Sequence, residues 1–266
     1  MKVRPILSCV LLMPWIANAQ VVEKGEERAD VAPSRWSVGL AAGARTELYA
    51  GEGTYTRVVP FFGYEGERFY WRGITAGYHL VKGESFVLDG FLAGRLGAMD
   101  ADDFGREELA RRGIDRDLLE DRDDSVDAGL AASWRGKAGE IKFELKADIT
   151  DTSGGYEADI GYLYPMRLGG FVLTPSVGVK YLSKDTADYY YGTLDKEVAR
   201  GVVRYEPGSA MLRYIGITVA RPFAEKWRAM ANAGYEFLPS EITDSPLLKE
   251  DIDGNAGLFI GVSRQF

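Results

Sequence analysis

The chain has 266 residues, with 40 acidic and 32 basic side chains and a formal charge of −8. That balance argues against a nucleic-acid partner, and a single cysteine, Cys9, excludes an internal disulfide framework or a thiolate metal site. The 32 glycines fit a chain of strands with one apolar and one polar face, in a membrane barrel or a soluble β-sandwich.

Lys2 and Arg4 precede an apolar run over residues 6–16, and Ala17-Asn18-Ala19 makes a small-x-small cleavage site before Gln20. Residues 1–19 therefore read as a secretory signal peptide, whose apolar run is too short for a spanning helix. Cys9 lies inside it, with too little apolar sequence ahead of it for a lipid-acceptor site. Residues 20–35 are charged and contain Gly and Pro, which predicts a periplasmic tail that starts disordered. Residues 36–266 form the remaining unit, and nothing in it approaches the roughly 20 apolar residues of a membrane helix.

Alternation of period two dominates this unit, the mark of strands. In residues 140–150 Ile141, Phe143, Leu145, Ala147 and Ile149 are apolar, against Lys142, Glu144, Lys146 and Asp148. Residues 125–135, 156–164, 171–181 and 227–237 repeat the pattern over lengths that suit a tilted membrane-crossing strand. The aromatic residues Trp134, Tyr156, Tyr164, Phe171, Tyr181, Trp227 and Phe237 sit at the ends of their apolar faces, as interfacial girdles do. In a sandwich they would sit mid-strand, in the core.

The closing stretch, residues 254–266, alternates Ala256, Leu258, Ile260 and Val262 with small or polar residues and stops on Phe266; only Arg264 breaks its apolar face. The fold class is thus all-β: one transmembrane antiparallel β-barrel with short periplasmic turns and long extracellular loops. Short connections at 135–139, 167–170 and 221–226 alternate with long charged ones at 99–124, 183–208 and 239–253. Counting strands back from a periplasmic C-terminus gives eleven if residues 67–81 are one strand. An even number with both ends periplasmic requires a reversal near Arg72-Gly73 and twelve strands, ten being the alternative.

By alternation the lumen receives Lys142, Glu144, Lys146, Asp148, Glu157, Asp159, Lys180, Arg228, Asn232 and Glu236, with His79 on the lumen side of its segment. Interleaved charges of both signs either pair across the lumen and plug it or line a narrow hydrated path. His79 is the only histidine, and no Ser/Asp constellation is readable around it, so neither an enzyme nor a cofactor is expected. Asp251-Ile252-Asp253-Gly254-Asn255 begins like a calcium loop but lacks the Glu at its twelfth position. The Asp-rich stretch 100–124 is interspersed with Arg and reads as local pairing or contact with lipopolysaccharide. The cluster Tyr189-Tyr190-Tyr191-Gly192 is a candidate lid over the lumen.

Several motifs in order resemble the MltA-interacting protein family, also called MipA/OmpV, from about Trp36 to Phe266. They are Gly66-Glu67-Arg68-Phe69 with Gly73 and Ala76-Gly77-Tyr78; Asp115-Arg116-Asp117 and Asp121-Arg122-Asp123-Asp124-Ser125 running into Ala128-Gly129-Leu130; Asp151-Thr152-Ser153-Gly154; Asp188-Tyr189-Tyr190-Tyr191-Gly192 with Glu197-Val198-Ala199-Arg200; and Glu241-Ile242-Thr243-Asp244-Ser245-Pro246-Leu247. The resemblance implies an outer-membrane scaffold that links a lytic murein transglycosylase to a bifunctional murein synthase, the alternative being a narrow channel for small solutes. It also implies Phe266 as the signal read by the barrel assembly machinery, although relatives carry an aromatic residue where Arg264 stands here. The expected surroundings are outer-membrane lipid and lipopolysaccharide.

Overall fold

Thirteen strand segments follow one another around a single antiparallel sheet that closes on itself. The computed structural model describes residues 35–51 and 53–266. The segments are β1 (Trp36–Thr46), β2 (Thr54–Glu65), β3 (Phe69–Arg72), β4 (Thr75–Lys82), β5 (Phe86–Arg95), β6 (Ser125–Gly136), β7 (Gly139–Asp148), β8 (Tyr156–Leu163), β9 (Met166–Leu168), β10 (Phe171–Leu182), β11 (Ala210–Phe223), β12 (Trp227–Phe237) and β13 (Gly254–Gln265). β13 pairs with β1, from Ser37↔Gln265 to Arg45↔Gly257, which closes the barrel. β8 and β9 lie on the same edge of β10 and are one strand interrupted at Tyr164-Pro165. Thirteen segments therefore make a closed barrel of 12 strands.

The reversal near Arg72 is present. β3 stops after four residues, and Gly73 takes φ +61°, a left-handed conformation that costs a residue with a Cβ more than glycine. β3 and β4 are consequently two strands, and both ends of the barrel fall on the side of the short turns. The expected signal peptide, and the tail through residue 34, lie outside the described residues.

One face of every long strand is exposed and apolar. Leu40, Ile141, Ile160 and Ile260 are each more than half exposed, although each sits mid-strand in a hydrogen-bonded sheet. In water such a band would be untenable; in hydrocarbon it is the solvated surface. No described helix is long and apolar enough to span, and the strands alone make the crossing. Trp36, Trp134, Phe171, Trp227 and Phe237 lie exposed at strand ends. Arg264 joins this girdle: its guanidinium lies 5.0 Å from the Phe266 ring and 5.9 Å from the Trp227 ring. The side chain lies along the aromatic rings at the membrane boundary and carries its charge out of the apolar band.

The extracellular connections are not open loops. Residues 96–124 hold α1 (Arg106–Arg111), residues 183–209 hold α2 (Lys184–Tyr191) and α3 (Asp195–Ala199), and residues 238–253 hold α4 (Ser240–Thr243). Leu109, Ile114, Ala187, Ile242, Leu247 and Leu248 from these connections are buried in one hydrophobic cluster with Leu48 and Tyr49. The solvated, charged loops expected from composition are a small folded cap with its own core.

Candidate functional site

The site is the lumen and the cap that meets it. The residues expected to face the lumen share the side opposite the exposed apolar set, and the register brings them together in three groups.

The first group surrounds His79. Its Nδ1 lies 2.6 Å from Asp89 Oδ1 and its Nε2 2.9 Å from Glu65 Oε1. Arg72 donates to the same Glu65 carboxylate at 2.9 Å, and Lys82 approaches it at 3.3 Å. A histidine held at both nitrogens by carboxylates is fixed in orientation, with no hydroxyl nucleophile among these partners.

The second group is a charge network on β5 to β8. Arg95 donates to Asp127 at 2.8 Å and also to Glu157. Lys146 adds contacts to Glu157 at 3.2 Å and to Asp127 and Glu144 at 3.8 Å each. Removing one member of such a buried set strands the others, which is why both signs interleave here.

The third group lies on β8, β10, β11 and β12. Lys180 donates to Glu236 at 2.5 Å, Tyr214 to Asp159 at 3.0 Å, and Asn232 Nδ2 to Thr218 Oγ1 at 2.8 Å. Lys142 of β7 stands apart from this group, 3.8 Å from Glu140, which Arg135 of β6 holds at 2.9 Å. Arg228 is on the same face, opposite Ser263.

Asp148 behaves differently from the rest. It sits at the extracellular end of β7 and accepts from the N–H groups of Thr150, Ser153 and Gly154 at 2.8, 2.6 and 3.1 Å. Its carboxylate organises the β7–β8 loop, an Asx-type local closure that the strand pattern alone did not distinguish from lumen lining.

Glu65, Asp89, Arg95, Asp127 and Tyr214 are essential to these groups and were absent from the sequence expectation. The signal was present for Asp127, which alternates with Val126 and Ala128 in β6, whereas Asp89 and Arg95 share a parity with Val87, Phe91 and Ala93 in β5 and are hidden by it.

Above the network, the tyrosine cluster lies in α2 rather than in an irregular loop. Ser183 caps the helix, its Oγ accepting from Tyr156 N–H at 2.9 Å and from Thr186 N–H at 3.4 Å. Tyr190 and Tyr191 are buried, and Arg95 lies 5.8 Å from the Tyr190 ring, so the cap rests on the lumen network. Burial raises the Tyr190 and Tyr191 hydroxyls above the usual phenol range. Tyr49 donates to the Tyr190 carbonyl at 2.6 Å and Ser245 to the Tyr191 carbonyl at 2.6 Å. Arg122 and Glu197, both essentially inaccessible, pair at 2.8 Å. The same guanidinium donates to the carbonyls of Tyr189 and Gly192 at 2.7 and 3.1 Å. Gly51 and Gly105 touch backbone to backbone, where a Cβ on Gly51 would lie 2.1 Å from Gly105 Cα. Loops rooted on β1/β2, β5/β6, β10/β11 and β12/β13 thus converge over one end of the barrel.

A closed antiparallel barrel with a hydrocarbon-facing band, aromatic girdles and asymmetric connections defines an outer-membrane protein. The chain belongs to the MltA-interacting protein MipA family, whose defining pattern matches residues 38–266. It is 32% identical over 239 residues to the putative outer membrane protein YiaT of Escherichia coli K12, covering 90% of this chain and 94% of the relative. It is 30% identical to the MltA-interacting protein of the same organism, over 84% of this chain and 88% of that one. Among solved structures, a NanC porin superposes with a TM-score of 0.46 at 10% identity, over 86% of this chain and 100% of its own.

Proposed function

We propose that this barrel is an envelope scaffold that holds a lytic murein transglycosylase, and through it a bifunctional murein synthase, at the periplasmic face of the outer membrane. The observation that carries the reading is the character of the two ends. The extracellular end is covered by a folded cap, with Tyr189 to Gly192 as its lid over the lumen. The periplasmic end is a low rim of short turns on which the exposed basic side chains Arg68, Lys82, Lys137, Arg167, Arg221 and Lys226 outnumber the exposed Glu67, Glu84 and Glu225. A basic rim on a chain of net charge −8 favours an acidic partner surface. The name of the relative that is 30% identical supplies the partner class. The charged stretch 20–35, which precedes β1 in the sequence, is a second candidate contact. Phe266, on that rim, serves the barrel assembly machinery as the end of the closing strand, and the acidic cap faces lipopolysaccharide.

The test is crosslinked purification from solubilised envelopes, probing for the transglycosylase. Stoichiometric recovery is expected for the native chain, with loss in an Arg68→Glu/Lys137→Glu/Lys226→Glu variant or on deletion of residues 21–32. No recovery, or recovery unchanged in both variants, overturns the reading.

A second reading, a narrow passage for small solutes, is favoured by one observation: the lumen charges are of both signs and lie along the walls from β5 to β12. His79, Lys142, Glu144, Lys146, Glu157, Asp159, Lys180, Arg228, Asn232 and Glu236 would line it. Twelve strands are fewer than the sixteen to eighteen of wide porins, so small unitary conductance in planar bilayers is expected, and the absence of any conductance counts against a passage.

A further inference from the structure

The barrel wall is not evenly sealed. β1 and β2 pair from Trp36↔Tyr64 to Thr46↔Thr54, whereas β2 meets β3 only from Gly63↔Arg72 to Glu65↔Tyr70. Because Gly73 turns the chain after four residues of β3, the β3–β4 hairpin ends level with Phe62, whose carbonyl accepts from Gly73 N–H at 3.1 Å. On the far side β5 leaves the hairpin at Ile74, whose carbonyl accepts from Gly94 N–H at 3.1 Å. From Thr54 to Pro60, β2 faces no strand on that edge among the described residues.

The ladder says which groups are left open. In an antiparallel pair the N–H and C=O of one residue point to the same side. Phe62 points toward β3, so Thr56, Val58 and Pro60, of the same parity, point into the gap. No hydrogen bond from a described residue reaches them there. Pro60 lacks an N–H, which removes one orphan donor from the edge.

Beside the gap the outward face is apolar and the inward face is mixed. Outward, Val58 is 66% exposed and Phe62 42%. Inward, β2 presents Arg57, Val59 and Phe61, the last lying over Gly39, while Phe91 of β5 and Phe259 of β13 add aromatic rings to the inner faces. The charge network starts on β5, the strand that borders the gap, at Arg95, and the His79 group lies on the hairpin strands beneath it. The cap roofs the gap, with Gly105 N–H donating to the Ala50 carbonyl at 2.7 Å and Ala50 N–H to the Leu247 carbonyl at 2.9 Å.

An open edge cannot face dry hydrocarbon, where each unsatisfied backbone group costs several kcal/mol. Something polar must meet Thr56, Val58 and Pro60, and something apolar must lie beside Val58 and Phe62. One molecule with both characters satisfies both demands. We propose that this lateral window admits small amphiphiles, with a hydrogen-bonding head and an aliphatic or aromatic tail, between the outer leaflet and the lumen. The head is bound by the free edge of β2 and the tail slides from Val58 and Phe62 to Val59 and Phe61. The proposal gives the narrow-passage reading its entrance and its ligand class, and it is independent of the murein-enzyme reading.

The test uses the chain from Gln20 onward, which contains no cysteine. Bimane is attached to Val59→Cys just inside the window, to Ser133→Cys on the inner face of β6, and to Val177→Cys on the lipid face of β10. Each is reconstituted in vesicles of brominated phosphatidylcholine, or of plain phosphatidylcholine titrated with brominated dodecanoate. Loss of fluorescence at Val59 comparable to that at Val177 is expected, with saturable quenching by dodecanoate and little at Ser133. Quenching at Val59 no greater than at Ser133 overturns the window. Quenching by lipid with no saturable dodecanoate component overturns the passage of a free amphiphile. Lengthening the β3–β4 hairpin at Gly73, so that it pairs with the edge of β2, is expected to abolish quenching at Val59 and spare it at Val177; persistence in a folded, heat-modifiable protein also overturns the proposal. Conductance is read separately, so a channel without a window and a window without a channel give different results.

Discussion

The cap and the β2–β3 wall are opposite solutions to the same problem of backbone and side chains at a membrane barrel's boundary. In the cap, four connections share one core, and a buried ion pair holds the carbonyls of Tyr189 and Gly192. In the wall, β3 supplies only four residues, and half of β2 lacks a partner strand on one edge among the described residues. The end that composition marks as loop is tightly packed, and the side that composition marks as strand is open.

The largest effect expected from breaking this contrast is at Arg122. Arg122→Met leaves the Glu197 carboxylate buried without its partner, at a cost of about 3–5 kcal/mol. Trypsin cleavage within the cap, at Arg111 or Arg112, should rise by at least about a hundredfold, since proteolysis follows the open population. The double change Arg122→Met/Glu197→Leu should recover most of the resistance, because the uncompensated charge is gone. Next comes Leu248→Ala, which empties a fully buried position of the cap core and should cost about 3 kcal/mol in the same assay. Both changes should leave the heat-modifiable migration of the barrel in place, because cap and wall stand on different interactions. Loss of that migration would show the cap to be part of the barrel's own stability.

A smaller effect is expected in the wall. Gly73→Ala forces a Cβ into the left-handed region at the hairpin tip and should cost about 1–2 kcal/mol. The reading is the temperature at which the folded form is lost on unheated gels. With β3 already short, this change should also raise access at Val59, which would tie the turn to the window.

Much of this fold is legible in the sequence, for a physical reason. A strand between lipid and lumen must alternate, so Ile141, Phe143 and Leu145 against Lys142, Glu144 and Lys146 declare both faces. The reversal at Gly73 followed from parity: two ends on one side need an even count. What alternation does not carry is pairing across the lumen. Asp89 and Arg95 lie in a strand too apolar to draw attention, and only the register brings them to His79 and Glu157. The cap was illegible for a different reason. Its buried residues, such as Leu109, Ala187 and Ile242, are spaced singly among polar residues in helices of four to eight residues, too short for a period to emerge. Arg264 looked like a flaw in the closing strand and is a cation lying over two aromatic rings at the interface.

The smallest expected effect tests electrostatics within the cap. Burial, together with the neighbouring carboxylates Asp100, Asp102 and Asp121, raises the Asp103 carboxyl above its ordinary 3.8. A carboxyl raised in the folded state disfavours folding once it ionises: the penalty is absent below its unfolded value and complete above the folded one. Asp103→Asn should therefore slow cap proteolysis slightly at neutral pH, and the advantage should vanish as the pH falls below the ordinary carboxylate range. The residue is partly open to solvent, so the gain is a fraction of what the Arg122 change removes. An advantage that persists at low pH would assign it to the amide's own hydrogen bonds, and a loss at neutral pH would mean that the attraction of Arg116 outweighs the acidic neighbours.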